Sequence, residues 1–272
     1  MKPEGEAQSF WDHLDELRTA VIKCVVAMLV CAIVTFLFKD ILFAIILAPK
    51  DATFITYRLL GQVISNSHHI LHDAPVELIN TGLARQFIVH VKAALCAGII
   101  CASPYILYQL FRFVSPALYS NERLYVVRGV SYSYLLFALG MAVCYFLIFP
   151  FTFRFLGTYQ VSHDVVNMIS LDSYISTLMT MSLAMGIVFE IPVLCLLFAH
   201  LGLLSASFMR RYRRHALVII LILAAVITPT SDLFTLSIVS LPMYLLFELS
   251  ICIVHHTEHK RKKQSLAPQS ID

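Results

Sequence analysis

"SFWDHLDELRTAVIKCVVAMLVC", residues 9–31, sets three carboxylates, a histidine and an arginine directly before an apolar run. Ser9 and Asp12 have capping-box spacing, with Asp where Glu is usual, so the sequence predicts a helix starting near Phe10. At ~100° per residue, Phe10, Leu14, Leu17 and Val21 share one stripe, flanked by Trp11, and Asp12, Asp15 and Glu16 point the other way. Trp11 is the only Trp in the chain, and an indole at a membrane boundary acts as an anchor. Asp15 can pair with Arg18 at i+3. Glu16 has Asp12, His13, Thr19 and Ala20 as helical neighbours, so His13 is its one local source of positive charge. Taken alone, this is a solvated amphipathic face.

That face leads into a strongly apolar chain. Of 272 residues, 59% are hydrophobic and 14% charged, with a mean hydropathy of +0.79. A soluble domain would carry about a quarter charged residues; this composition is that of a polytopic, all-α membrane protein. The net charge of +3 is too small to argue for nucleic acid. The seven cysteines lie in or beside apolar stretches and form no CxxC pair, which argues against a disulfide framework. The first twenty residues lack the apolar core and cleavage site of a removable signal peptide, so the first apolar run is expected to stay in the membrane.

Crossing ~30 Å of hydrocarbon takes about 20 apolar residues. Six spans are predicted, at 20–38, 87–111, 130–151, 171–199, 215–228 and 233–254. Fourteen basic residues fall in one set of flanks, around 2–23, 112–128, 210–214 and 260–263, and five (Lys39, Lys50, Arg58, Arg85, Arg154) in the opposite set. Both termini are therefore expected in the cytoplasm. Residues 1–19 read as a cytoplasmic amphipathic helix, 20–254 as the six-helix membrane domain and 255–272 as a cytoplasmic basic tail. The fifth span is short: "ALVIILILAAVI" is closed by Thr228-Pro229, leaving ~21 Å of helix. Such a span thins the bilayer or draws its turn into the interface. In the first outer loop "FITYRLLGQVI" has the spacing of a short surface helix.

Two further carboxylates stand out. "FVSPALYSNER", residues 113–123, reads as a tight, structured connection that presents Glu122 beside Arg123. "GIVFEIP", residues 186–192, puts Glu190 at about mid-depth of the fourth span, where an ionisable group costs at least ~2.5–3.5 kcal/mol and is functional by default. Gly186 and Pro192 weaken the helix around it and would free backbone groups for it to satisfy. A structural hydrogen bond to a neighbouring helix and a proton-linked role remain the two readings of Glu190.

These segments, in this order, resemble the TatC family, the core receptor subunits of twin-arginine protein translocases. The resemblance runs from about Phe10 to Cys252 and rests on "HLDELR" (13–18), "FVSPALYSNER", "GIVFEIP", "TPTSD" (228–232) and "LPMYLLFE" (241–248). "TPTSD" is one residue longer than the commoner Thr-Pro-Pro-Asp form. The resemblance implies a receptor and not an enzyme, working without a cofactor. It exports folded precursors under the proton-motive force with single-span partners of the TatA and TatB type, as a homo-oligomer within the translocase. By position it implies that Glu16 and Glu122, with Arg18 and His13 nearby, receive the arginine pair of a signal peptide. It also implies that Phe113, Pro116, Tyr119, Arg123, Pro229 and Asp232 belong to the family's motifs.

Rival readings are weaker. "HHTEH", residues 255–259, matches an H-x-x-E-H zinc pattern but runs into a lysine-rich tail without a third carboxylate. His68, His69 and His72 with Asp73 read as a solvated loop in preference to a metal site. A proton-coupled secondary transporter would use Glu190 and Lys92 as intramembrane charges, but spans one, three and five offer almost no polar lining for a midplane substrate site.

Overall fold

The computed structural model describes residues 10–51, 53–58, 78–114, 123–159, 162, 167–228 and 232–265; the side chains of residues 10, 12, 13, 114, 123–128 and 260–265 fall outside the description. It is built from helices: α1 Phe10–Leu37, α2 Lys39–Leu47, α3 Arg85–Val114, α4 Arg123–Val143, α5 Phe149–Thr158, α6 Leu171–Val188, α7 Ile191–His200, α8 Ala206–Arg211, α9 Arg213–Ile227 and α10 Leu233–Ser265. Two short strands, β1 Leu78–Ile79 and β2 Ile169–Ser170, pair in parallel.

Five stretches are long and apolar enough to cross a membrane: Leu14–Leu37, Arg85–Phe113, Gly129–Thr158, Leu171–His200 and Leu233–His259. The protein is a multi-pass membrane protein. The predicted fifth span is α9, whose 15 residues give a helix of ~22 Å. Its shortness, legible in the sequence, is a property of the folded chain. The sequence did not anticipate α2, which it left in the first outer loop; "DILFAIIL" is apolar enough to continue as helix once α3 and α6 give it a surface.

α1 lies antiparallel on α3 and packs against little else, so most of its span is exposed. It approaches α3 tightly at Gly98, where an added Cβ would stand 2.7 Å from the Ala32 nitrogen. Next to it the Thr35 hydroxyl donates to the Ala94 carbonyl at 3.0 Å, and Phe36 stacks on His90. The main core is formed by α3, α4, α5, α6 and α10 around Val89, Ile148, Phe149, Tyr174, Met181 and Met243.

α4 passes into α5 through a π turn at Cys144–Ile148. Such a turn leaves a carbonyl available, and the Thr56 hydroxyl donates to that of Phe146. Residues 55–58 are helical, as the periodicity of "FITYRLLGQVI" predicts, and its remainder lies outside the described residues. The β1–β2 pair joins the segments just before α3 and α6, holding those two helix starts side by side. The bundle thus has two ends. One carries β1 and β2; the other carries the start of α1, the end of α3, α8 and the end of α10.

Candidate functional site

The register of α1 on α3 decides where Glu16 stands. Ala32 meets Gly98, and Glu16 is sixteen residues before the first while Val114 is sixteen after the second. In an antiparallel pair this sets Glu16 level with the last turn of α3, where Phe113 is half-buried. Glu16 and Arg18 are both exposed, and Trp11 is 73% exposed on the same stretch. The loop that begins after Val114 contains Pro116, Tyr119 and Glu122, all outside the described residues. Arg123 is described as the first residue of α4 by its backbone alone, as His13 is within α1.

Glu190 occupies a break. α6 ends at Val188 and α7 begins at Ile191, with Phe189 and Glu190 forming the turn between them. The backbone stays bonded through it: Phe189 N–H donates to the Met185 carbonyl, Glu190 N–H to Ile187 and Leu194 N–H to the Glu190 carbonyl, each at 3.0 Å. The expectation that Glu190 would satisfy freed backbone groups is therefore corrected. Its carboxylate instead accepts from the Ser133 hydroxyl of α4 through Oε2. Oε1 is buried and has no hydrogen-bond partner among the described residues.

Two glycines allow that bond. A Cβ on Gly140 would stand 2.6 Å from the Met185 carbonyl, and one on Gly186 would stand 2.8 Å from the Phe137 ring. With no Cβ at either position, α4 and α6 approach closely enough for the short Ser133 side chain to reach Glu190.

Lys92, expected as a charge inside the second span, is near the start of α3 and spends its charge locally. Its Nζ donates to Asp172 Oδ1 at 2.9 Å, and Arg85 donates to Asp172 Oδ2 at 2.5 Å. Sequence reasoning missed this cluster, because the β1–β2 pair that brings the two helix starts together has only two residues per strand. Glu248, midway along α10, accepts from Arg213 at 2.8 Å and from the Tyr244 hydroxyl at 3.1 Å. Asp232 caps α10, accepting the Thr235 N–H at 2.7 Å, and Pro229 lies outside the described residues. In "HHTEH", Glu258 accepts the Ala206 N–H at 3.2 Å. His68, His69, His72 and Asp73 are outside the described residues.

The family model described as Sec-independent protein translocase protein (TatC) matches residues 12–242. The chain belongs to the TatC family. It is 36% identical over 267 residues to the Sec-independent protein translocase protein TatC of Blattabacterium sp. subsp. Periplaneta americana, covering 96% of this chain and all of that one. Against the TatC protein of Escherichia coli (strain K12) the identity is 32%, covering 90% and 88% of the two chains. A crystal structure of the twin-arginine translocase receptor TatC superposes with a TM-score of 0.71 at 30% identity, covering 89% of this chain and 97% of that one. A second TatC structure, in DDM, gives a TM-score of 0.72 at 31% identity. TatC proteins are translocase components, so this chain is a membrane protein of Sec-independent protein transport.

Proposed function

We propose that the end of the bundle carrying Glu16 is a cytoplasmic receptor surface for signal peptides bearing consecutive arginines, and that Glu16 and Glu122 clamp the arginine pair. The observation that carries this is the α1–α3 register, which sets Glu16 level with the start of the loop that holds Glu122. Guanidiniums present fixed forks that carboxylates match two-on-two, and Lys cannot reproduce that geometry. Arg18 and His13 tune the local charge beside Glu16, and Phe113, Pro116, Tyr119 and Arg123 shape the loop. Pro229 and Asp232 set the turn before α10.

In this reading the chain crosses the inner membrane of a bacterium six times with both termini in the cytoplasm. α9 is the short fifth crossing, residues 1–19 and 255–272 lie on the cytoplasmic side, and the basic residues at that end support the orientation. A reporter fused after residue 259 would stay cytoplasmic. The protein acts as a receptor and not as an enzyme. It works in a homo-oligomeric core with TatA- and TatB-type single-span subunits, and the proton-motive force drives export of folded cargo. The test is a photoreactive amino acid placed at position 16 or 122. The expected result is crosslinking to a signal peptide with Arg-Arg and its loss with Lys-Lys; equal crosslinking to both would reject the clamp.

A further inference from the structure

The corner between α7 and α9 presents more positive charge than its own acids consume. α8 is fixed by its inner face: Ala206 and Met209 are 2% and 4% exposed and pack with Ile251 and Val254 of α10. Ser205 caps it by accepting the Phe208 N–H at 3.2 Å. The outer face holds Phe208, Arg210 and Arg211, and the chain continues through Tyr212, Arg213, Arg214 and His215, all exposed. Phe208 and Tyr212 have ring centroids 4.6 Å apart.

Arg213 is already used, since it pairs with Glu248. Among the described residues no carboxylate pairs with Arg210, Arg211 or Arg214. Three guanidiniums and two aromatic rings, that of Tyr212 carrying a hydroxyl, therefore lie exposed on the α8–α9 corner.

The length of α9 sets the height of this corner. On the six-crossing reading proposed above, α9 at ~22 Å is shorter than the hydrocarbon core, so its arginine-bearing start cannot stand clear of the membrane while its other end reaches the far side. The arginines are then held at headgroup level, where the Tyr212 ring also belongs, with the apolar Phe208 ring packed beside it. A twin-arginine peptide is repelled by this corner, which leaves an anionic group as the occupant.

We propose that Arg210, Arg211 and Arg214, with Phe208 and Tyr212, form a binding surface for the phosphates of anionic phospholipids. The fork of Arg matches phosphate oxygens in pairs, and a juxtamembrane basic cluster is drawn to anionic lipid. The surface anchors the α7–α9 corner in the membrane plane, at the same end of the bundle as the carboxylates proposed to receive signal peptides.

The test is native mass spectrometry of the full-length protein with phosphatidylglycerol or phosphatidylcholine added. The parent protein is expected to retain phosphatidylglycerol preferentially, by roughly fivefold for each contributing arginine, and to lose that preference at high salt. The combined variant Arg210→Gln, Arg211→Gln, Arg214→Gln is expected to bind both lipids alike with unchanged melting. Signal-peptide binding, measured on the same sample, is expected to persist, which separates failure of this surface from failure of the receptor reading. A parent without lipid preference overturns the proposal, and that measurement stands even if the triple variant does not fold. A folded triple variant with the parent's preference overturns it too, as does one that keeps the preference while losing an acidic protein partner.

Discussion

Gly98 lies directly against the backbone of Ala32, and this contact is what locks α1 onto α3. A Cβ at position 98 would come within 2.7–2.8 Å of the Ala32 nitrogen, Cα and Cβ. Two of those are backbone atoms, so α1 itself has to move. Gly98→Leu is expected to cost about 1–3 kcal/mol through overpacking, lowering the melting temperature in detergent, and to weaken signal-peptide binding by displacing Glu16. Gly129→Ala is the milder control, because the atoms nearest its methyl belong to the Phe111 ring, 3.1 Å away, and not to backbone. Equal effects of the two variants would remove Gly98 from the account of how Glu16 is positioned.

The Ser133–Glu190 bond divides the two roles open to Glu190. Glu190→Gln keeps an acceptor for Ser133 and is expected to support transport. Glu190→Ala leaves the Ser133 hydroxyl unpartnered, at about 1–3 kcal/mol, and is expected to stop it. Transport assays decide between hydrogen bonding and proton exchange: failure of both variants with intact signal-peptide binding would assign the role to the ionisable group. A fully active Glu190→Ala protein would exclude Glu190 from function.

Tyr57, between α2 and the first β-strand, has a pH signature. Its hydroxyl donates to the carbonyls of Pro150 at 3.0 Å and Pro49 at 3.3 Å, so the fold needs the proton. Burial pushes the phenol up to about 12, against the opposing pull of the Arg154 guanidinium. A raised folded value means that the neutral phenol stabilises the protein fully below pH ~10, the ordinary tyrosine value, and that this stability is lost as pH rises through about 12. Tyr57→Phe keeps the ring under Arg154 and removes the titrating proton. Melting curves of the two proteins are expected to converge at the alkaline end; a constant gap would show that Tyr57 does not titrate with folding.

What the sequence made legible was what depends on local composition. Long apolar runs gave the helices, and the Thr228-Pro229 stop gave the short α9. Glu190 was found because a carboxylate amid "GIVFEIP" has no local partner; the Ser133 that supplies one is 57 residues away. Lys92 was read as an intramembrane charge because Asp172 is 80 residues distant, and a two-residue strand pair carries no periodic signal that would join them. Gly98 was unremarkable in sequence, since a glycine in an apolar helix does not say which backbone it admits. Glu16 was legible as a carboxylate ahead of an apolar run, and its level at the last turn of α3 required the α1–α3 register.

Binding of Arg-Arg and Lys-Lys signal peptides to the parent, Glu16→Ala, Glu122→Ala and Asp12→Ala proteins tests the receptor mechanism most directly. An exposed pair contributes only ~0–1 kcal/mol, whereas stranding a desolvated partner at the headgroup boundary costs ~3–5 kcal/mol. Glu16→Ala and Glu122→Ala are each expected to weaken Arg-Arg binding well beyond the exposed-pair value, with the double variant losing less than the sum because both clamp one ligand. Asp12→Ala, a turn farther from the membrane, is expected to bind as the parent does. If the Glu16→Ala and Glu122→Ala proteins bind both peptides as the parent does, the carboxylate clamp is contradicted.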